Sequence, residues 1–274
     1  MRPVSCRIRQ YLSPHEREYD ALQQEYYHDP HEEDTPSFLR ALRFWPNNHA
    51  AVPRDLFAHS ARELDSYLPS HAGRPARMIR FDAPTDEILI YTSASCLNQH
   101  TSPNSRRAAS SCVFKPTGLP SSEQRSLALR LERRGPTGQG YPQESNRAHL
   151  RAAIAALQCR QWRAEGWTAI TIAADSEYLV EGITNWIEIW QQNGWLTSRE
   201  TGNSYEGDAV ANKDLWELLL CEVLELSRMG LEVKFWLILH TLNAEAHAEA
   251  RMAAEMLKEE EYFCRMPYAE ELRR

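Results

Sequence analysis

The chain has 274 residues, of which 42% are hydrophobic, and it carries a formal net charge of −7 at pH 7. This length allows one or two domains with a substantial core. The acidic balance excludes a grossly basic nucleic-acid-binding protein, although it is compatible with a local basic stripe.

The six cysteines are scattered along the chain without a CxxC pair, which predicts reduced thiols rather than a disulfide framework. No apolar run approaches the ~20 residues of a membrane span. The N-terminal residues lack the apolar centre of a secretory signal. We therefore expect no membrane partner and an intracellular protein, cytoplasmic or nuclear, that is not secreted.

Residues 1–80 are rich in charge, histidine and proline. The segment "HDPHEEDTPS" is acidic, and its composition is typical of a disordered stretch. Two runs in this region, "PSFLRALRFW" and "RDLFAHSARELDSYL", each predict a short amphipathic helix. We expect residues 1–80 to form an N-terminal extension, partly disordered or folded as short helices.

The pattern changes from about Phe81, where strands and helices can be assigned in chain order. The predicted strands are "EILIYT", "SSCVFK", "SLALRLE", "TAITIAAD" and "LEVKFWLILH". The predicted helices are "NRAHLRAAIAALQCRQWRAEG", "SEYLVEGITNWIEIWQQNG", "NKDLWELLLCEVLELSRMG" and "NAEAHAEARMAAEMLKEEE". The first is expected to end at Gly166, and Ser176 can cap the first turn of the second.

The order β-β-β-α-β-α-α-β-α predicts an α/β fold with a mixed five-stranded sheet. The first three strands should form an antiparallel meander, whereas the later strands arrive through helices and should pair in parallel. Helices should then cover both faces of the sheet. This domain is expected to span residues 81–262, followed by a C-terminal tail at 263–274.

The run from "SNRAHLRAAIAAL" through "AADSEYLVEGITNWIEIWQQNGWLTS" to "LNAEAHAEARMAA" resembles ribonuclease H type 1 over about residues 83–258. The resemblance implies the RNase H-like fold. It also implies hydrolysis of the RNA strand of RNA–DNA hybrids by two Mg²⁺ ions, which four carboxylates hold in the order Asp, Glu, Asp, Asp.

Each metal-binding position of the family corresponds to a local motif in this chain. "YTSASC" has Ser93 in place of the first Asp, and "ESNRAHL" has His149 in place of the Glu. "ADS" keeps the next acid as Asp175, whereas "NAEAH" has His247 in place of the last Asp. Glu245 and Glu249 lie about 200° around the helix from His247, so neither is an easy substitute.

This pattern predicts a degenerate member of the family, a pseudoenzyme poorly suited to Mg²⁺ that acts through nucleic-acid or protein binding. The alternative is a residual metal-dependent ribonuclease that uses Asp175. His149, His247 and Asp175 should converge, and two histidines with one carboxylate form a transition-metal ligand set. The other interpretation of these histidines is chance drift in a pocket that lost its constraint.

The resemblance also implies residues that contact nucleic acid, with an RNA–DNA hybrid or double-stranded RNA as the weakly bound partner. These residues are Cys96, Asn98, Gln99, Ser145, Asn146 and Trp195. Trp195 can line the DNA-strand channel or pack in the core, and core packing is also expected for Trp186 and Trp190.

A longer acidic insert, "RETGNSYEGDAVANKDLW", argues against tight binding of nucleic acid. The other option is a protein partner bound through residues 1–80 or through this insert.

Overall fold

The computed structural model describes most of the chain, namely residues 40–65, 73–82, 86–100, 102, 105–119, 124–197 and 207–265. The predicted acidic segment "HDPHEEDTPS", much of the acidic insert and most of the C-terminal tail lie outside these residues.

One mixed sheet forms the centre of the described part of the chain. Its strands are β1 (Leu42–Arg43), β2 (Met78–Ile79), β3 (Glu87–Leu97), β4 (Arg107–Val113), β5 (Ser126–Arg130), β6 (Ala169–Ala174) and β7 (Glu232–Leu237). The strand order is β1-β7-β6-β3-β4-β5, and β2 pairs with β3. The meander β3-β4-β5 is antiparallel, whereas β6 pairs in parallel with both β3 and β7, which confirms the predicted mixed sheet.

Two of the seven strands come from before residue 81 and were not predicted. "PSFLRALRFW" was predicted as a helix, but Leu42–Arg43 instead pairs in parallel with β7, and the Phe44 amide donates to the Phe235 carbonyl at 2.9 Å. Strand β2 pairs with Ile88 and Leu89 of β3, just before the point where β4 begins to pair. Two-residue strands are too short to leave a periodic pattern in a sequence.

The second helix predicted before residue 81 is divided in two. Helix α1 (Pro53–Leu56) and helix α2 (Ala61–Asp65) flank a short extended segment. In that segment Phe57 is fully buried and forms an antiparallel bridge with Arg80. Burial of Phe57 therefore fixes the chain between the two helices and fastens this region to the sheet.

The remaining helices follow the predicted order. They are α3 (Ser145–Gln158), α4 (Glu177–Glu181), a π-helical segment (Gly182–Trp186), α5 (Ile187–Gln192), α6 (Lys213–Arg228), a 3-10 turn (His240–Asn243) and α7 (Ala244–Met256). The Ser176 hydroxyl accepts from the Leu179 amide at 3.3 Å, which confirms the predicted cap.

Helices α3 and α7 cover opposite faces of the sheet. The Ser110 hydroxyl on β4 donates to the Ala148 carbonyl of α3, whereas that of the neighbouring Ser111 donates to the Ala246 carbonyl of α7. Because successive side chains of a strand point to opposite faces, the two helices must lie on different sides. The main core lies on the α3 side and includes the fully buried Trp216 of α6.

Cys96, Cys112, Cys159 and Cys264 carry free thiols, as predicted. Cys221 instead takes part in a disulfide bond, which corrects the prediction that all six cysteines are reduced.

None of the helices in the described ranges combines the length and apolar character needed to cross a membrane.

Candidate functional site

Three polar side chains lie where the parallel pairing of neighbouring strands ends. Thr92 of β3 is in register with Ala174 of β6, which in turn is in register with Leu237 of β7. The carboxyl ends of these parallel strands therefore meet at one edge of the sheet, where sites of α/β proteins form. Ser93 lies next to Thr92 within β3, Asp175 follows β6, and His240 begins the 3-10 turn after β7.

Asp175 is the centre of a hydrogen-bond network. The Ser93 hydroxyl donates to its two oxygens at 3.2 and 3.4 Å, and the Asn243 amide donates to Oδ1 at 2.9 Å. The His240 Nδ1 lies 2.5 Å from Oδ2. Asn243 also donates to the Thr92 carbonyl at 2.8 Å, so it joins the turn before α7 to the end of β3. The carboxylate side chain is only 4% exposed, and these donors stabilise its charge.

Two further histidines reach this network from opposite faces of the sheet. His247, on α7, packs edge-on against His240 with ring centroids 4.4 Å apart. His149, on α3, is buried, and burial lowers its pKa to about 4, although Asp175 opposes the shift. Burial also lowers the pKa of His247, and His240 adds to that shift. At neutral pH His149 and His247 are therefore neutral rings.

The structure brings Asp175, His240 and His247 together, with one ligand atom of each within 4.8 Å of the others. His149 lies close enough to interact electrostatically with all three, but it is not a member of this group. His240 was not among the residues predicted from the sequence. Its signal is positional, because it follows β7 as Asp175 follows β6 on the neighbouring parallel strand.

Glu245 and Glu249 point away from this site, as their helical spacing predicts. Glu245 pairs with Arg125, and Glu249 accepts from the Ser126 hydroxyl at 2.9 Å. Both contacts lie at the start of β5 rather than at the strand ends around Asp175. These two carboxylates therefore do not replace the acid that the family carries at the position of His247.

The first set of predicted nucleic-acid contacts lies at the end of β3. Asn98 and Gln99 are exposed in the turn that follows the strand, and Asn98 adopts a left-handed backbone with φ of 57°. Cys96 is half-buried, and its thiol lies 3.7 Å from the carbonyl of Gln143, just before α3. Burial raises the pKa of Cys96, so the thiol stays protonated.

The second set lies at the start of α3 and extends toward α6. Ser145 is half-buried and Asn146 is exposed in the first turn of α3. The next residue, Arg147, forms a bidentate pair with Asp214 of α6, at 2.9 and 2.7 Å. Trp195 is half-buried against the core, and the ammonium of Lys213 lies 5.5 Å from its ring centroid. The structure therefore shows a core contact for Trp195, whereas its lining of the DNA-strand channel stays a prediction.

The other two tryptophans that were expected in the core differ from each other. Trp190 is buried against Trp216, with ring centroids 5.4 Å apart. Trp186 is 36% exposed and packs on Trp190 from the outside, so core packing is confirmed for Trp190 and is only partial for Trp186.

The family model for RNase H matches residues 85–229, just over half of the chain. Among curated proteins, ribonuclease H of Treponema pallidum is 35% identical over 132 residues, which cover 48% of this chain and 70% of the relative. Ribonuclease H of Zymomonas mobilis is 38% identical over 84 residues, which cover 31% of this chain but only 47% of the relative.

Among solved structures, LC9-RNase H1, described as a type 1 RNase H with the type 2 active-site motif, covers 71% of this chain and 84% of its own. The sequence identity is 22% and the TM-score is 0.45. The family match covers the sheet from β3 to β6 and the helices through α6, which includes Ser93, His149 and Asp175. With its RNase H-like α/β fold, the chain belongs to the ribonuclease H family.

Proposed function

We propose that the protein binds RNA–DNA hybrids and does not hydrolyse them by two-magnesium chemistry. The observation that carries this proposal is the donor set at the strand ends. The four positions that correspond to the family's metal-binding carboxylates hold Ser93, His149, Asp175 and His247, so only one of them carries a carboxylate.

This donor set does not fit a pair of Mg²⁺ ions. Mg²⁺ requires near-octahedral coordination by hard oxygen ligands. A neutral hydroxyl and two neutral imidazoles offer little to such an ion, and two dications would face one formal negative charge from Asp175. The side chains at these positions therefore do not provide the ligands that two-magnesium hydrolysis requires.

Hybrid binding is supported by the side chains beside that site. Asn98 and Gln99 are exposed after β3, Asn146 is exposed at the start of α3, and the Cys96–Gln143 contact holds the two segments together. Amides placed in this way can reach 2′-hydroxyl groups in a wide, shallow minor groove, which is how proteins distinguish RNA-containing duplexes from DNA. The ligand class is therefore an RNA-containing duplex, with the hybrid favoured by family membership.

The charges near these residues predict weak binding. Affinity for nucleic acid comes mainly from Lys and Arg contacts to phosphate. Arg130 and Arg133 pair with Glu259, Arg134 pairs with Glu261, and Arg147 pairs with Asp214. A phosphate would have to compete with these carboxylates. A protein partner for residues 1–80 stays a prediction, because residues 1–39 lie outside the described part of the chain.

The proposal is tested by fluorescence anisotropy with labelled duplexes of one sequence, as hybrid, double-stranded RNA and double-stranded DNA, in the presence of EDTA. We expect the hybrid to bind at least several-fold more tightly than the DNA duplex.

Asn146→Ala and Gln99→Ala should each weaken hybrid binding by a few-fold, because each removes a polar contact worth about 1 kcal/mol. Asn48→Ala, at an exposed asparagine before α1, serves as the matched control. Equal affinity for hybrid and DNA, or no effect of either variant, would refute hybrid recognition.

A further inference from the structure

A group of three ligand side chains stands at the carboxyl end of the sheet. One ligand atom each from Asp175, His240 and His247 lies within 4.8 Å of the other two. Asp175 and His240 come from adjacent parallel strands, and His247 projects from the first turns of α7. Two imidazoles and one carboxylate form a set that suits transition metals rather than magnesium. We propose that this group binds a single Zn²⁺ ion.

A second observation points to the same ligand. The Nδ1 atoms of His149 and His247 are both buried and have no hydrogen-bond partner among the described residues. The His149 side chain is more than nine-tenths buried, and it interacts electrostatically with Asp175, His240 and His247. An unpaired buried polar atom costs about 1–3 kcal/mol and needs an explanation, for which a bound ion is one. His247 is also a member of the proposed ligand group.

The charge state of the site suits a soft dication. Asp175 supplies one negative charge, and Ser93 and Asn243 orient it from outside, as partners of metal ligands commonly do. Zinc takes four ligands, so three protein ligands leave one position for water or another ligand.

The test is calorimetric titration of Zn²⁺ into the full chain after treatment with EDTA and exchange into buffer that contains excess Mg²⁺. We expect one equivalent of Zn²⁺ to bind, with Mg²⁺ failing to compete.

His240→Ala and His247→Ala should each weaken Zn²⁺ binding at least ~10-fold, because loss of a metal ligand should exceed the effect of losing a residue that only hydrogen-bonds to a ligand. His240 is 60% exposed, so its replacement should leave the fold intact even if that of His247 does not. His100→Ala removes an exposed histidine outside the group and serves as the control.

The ligand atoms are identified with Co²⁺ as a spectroscopic substitute. Nitrogen and oxygen ligation should give visible d–d bands that disappear in His240→Ala. A thiolate-to-metal band would mean that cysteines bind the ion and would overturn the assignment. So would the absence of saturable Zn²⁺ binding, or unchanged affinity in both histidine variants. None of these outcomes depends on hybrid binding, which is measured in EDTA.

Discussion

Asn243 connects the Asp175 carboxylate to the sheet through a single amide group. Its Nδ2 donates both to Asp175 Oδ1 at 2.9 Å and to the Thr92 carbonyl at 2.8 Å, and the residue is only 1% exposed. One side chain therefore donates to a backbone carbonyl and to a carboxylate oxygen, and the only other donor to that carboxylate oxygen among the described residues is the Ser93 hydroxyl, at 3.2 Å. Removal of that side chain would leave both acceptors short of a donor in a buried setting.

Asn243→Ala should therefore destabilise the protein by about 1–3 kcal/mol, which is the range for leaving buried polar groups unsatisfied. The free energy of unfolding is measured by urea denaturation in EDTA. Asn146→Ala, at an exposed position in α3, should change it by no more than about 0.5 kcal/mol. A loss at Asn243 no larger than that of this control would contradict the described network.

His59 is a second residue whose protonation state follows from its contacts. Its Nδ1 lies 2.6 Å from the Phe57 carbonyl and must donate to it, while its Nε2 lies 2.7 Å from the Tyr91 hydroxyl. Burial lowers the pKa of His59 below the ordinary value of 6.5, which favours the neutral ring, in which Nε2 accepts from the Tyr91 hydroxyl. The unfolded chain binds a proton at a higher pH than the folded chain does. Stability is therefore fully present above about pH 6.5 and falls as the pH drops below that value.

From this we expect the unfolding free energy of the wild-type protein to fall more between about pH 7.5 and about pH 5.5 than that of His59→Gln, which cannot titrate there. Urea denaturation at the two pH values measures the difference. His100→Gln, at an exposed histidine, should retain the wild-type pH dependence. Identical pH dependence in His59→Gln and wild type would show that His59 is not held neutral by the fold.

Single positions also show what the sequence could and could not provide. His149, His247 and Asp175 were predicted to converge. Asp175 and His247 lie in one group of ligand atoms, and His149 interacts electrostatically with both without belonging to that group. His240 was missed because it stood only as the last residue of the predicted strand "LEVKFWLILH", and only the register of β7 beside β6 places it against Asp175. Sequence spacing carries no record of that register.

Helices α3 and α6 are joined by one buried ion pair. The Arg147 guanidinium donates to both oxygens of Asp214, and each side chain is 3% exposed. The same guanidinium stacks over the Tyr141 ring at 3.7 Å from its centroid. This pair fixes the start of α3, which carries Ser145 and Asn146, relative to the start of α6. Lys213, the first residue of α6, lies over the Trp195 ring.

Asp214→Asn should cost about 3–5 kcal/mol of stability, because it leaves the buried Arg147 charge without its partner. Glu217→Gln is the matched control, since its pair with Lys213 is about half exposed and should contribute no more than about 0.5 kcal/mol. Thermal and urea unfolding of the two variants gives the comparison. Equal effects would mean that the buried pair does not link the helices energetically.

The presence of the long periodic elements was predictable, but their ends were not: the helix predicted to end at Gly166 ends at Gln158, and the closing helix ends at Met256. The predicted strands and the major helices are present, whereas the helix predicted after Ser176 is interrupted by the π-helical segment that starts at Gly182. A Cβ on Gly182 would lie 2.2 Å from the Trp216 ring, so this glycine permits the close approach of α6. That constraint is tertiary, and no helical periodicity in the segment itself reveals it.

At the scale of the whole molecule, three arginines near the proposed binding face are paired with an acidic segment that follows α7. Glu259 pairs with Arg133 at 2.5 Å and lies 3.8 Å from Arg130, while Glu261 pairs with Arg134. Arg130 lies close enough to Cys96 to influence its pKa. The amides of Arg133 and Arg134 also donate to the carbonyls of residues 260 and 261, so the backbone holds this segment in place independently of its carboxylates.

The double variant Glu259→Gln/Glu261→Gln should therefore keep its fold and bind the hybrid a few-fold more tightly. It should also show a steeper dependence of affinity on salt, by about one to two in the log–log slope, because the freed arginines can contact phosphate. Anisotropy at several salt concentrations measures both quantities. Glu188→Gln, an exposed carboxylate paired with Arg40, is the control. An unchanged salt slope in the double variant would show that these arginines do not face nucleic acid.

The central claim is that the ribonuclease H fold is retained here without the family's two-magnesium hydrolysis. The most direct measurement is the cleavage of a labelled RNA–DNA hybrid by the purified full chain in Mg²⁺, compared with Asp175→Asn prepared identically. The account predicts no cleavage by the wild-type protein above the level of the variant. Mg²⁺-dependent cleavage of the RNA strand that disappears in Asp175→Asn would contradict it.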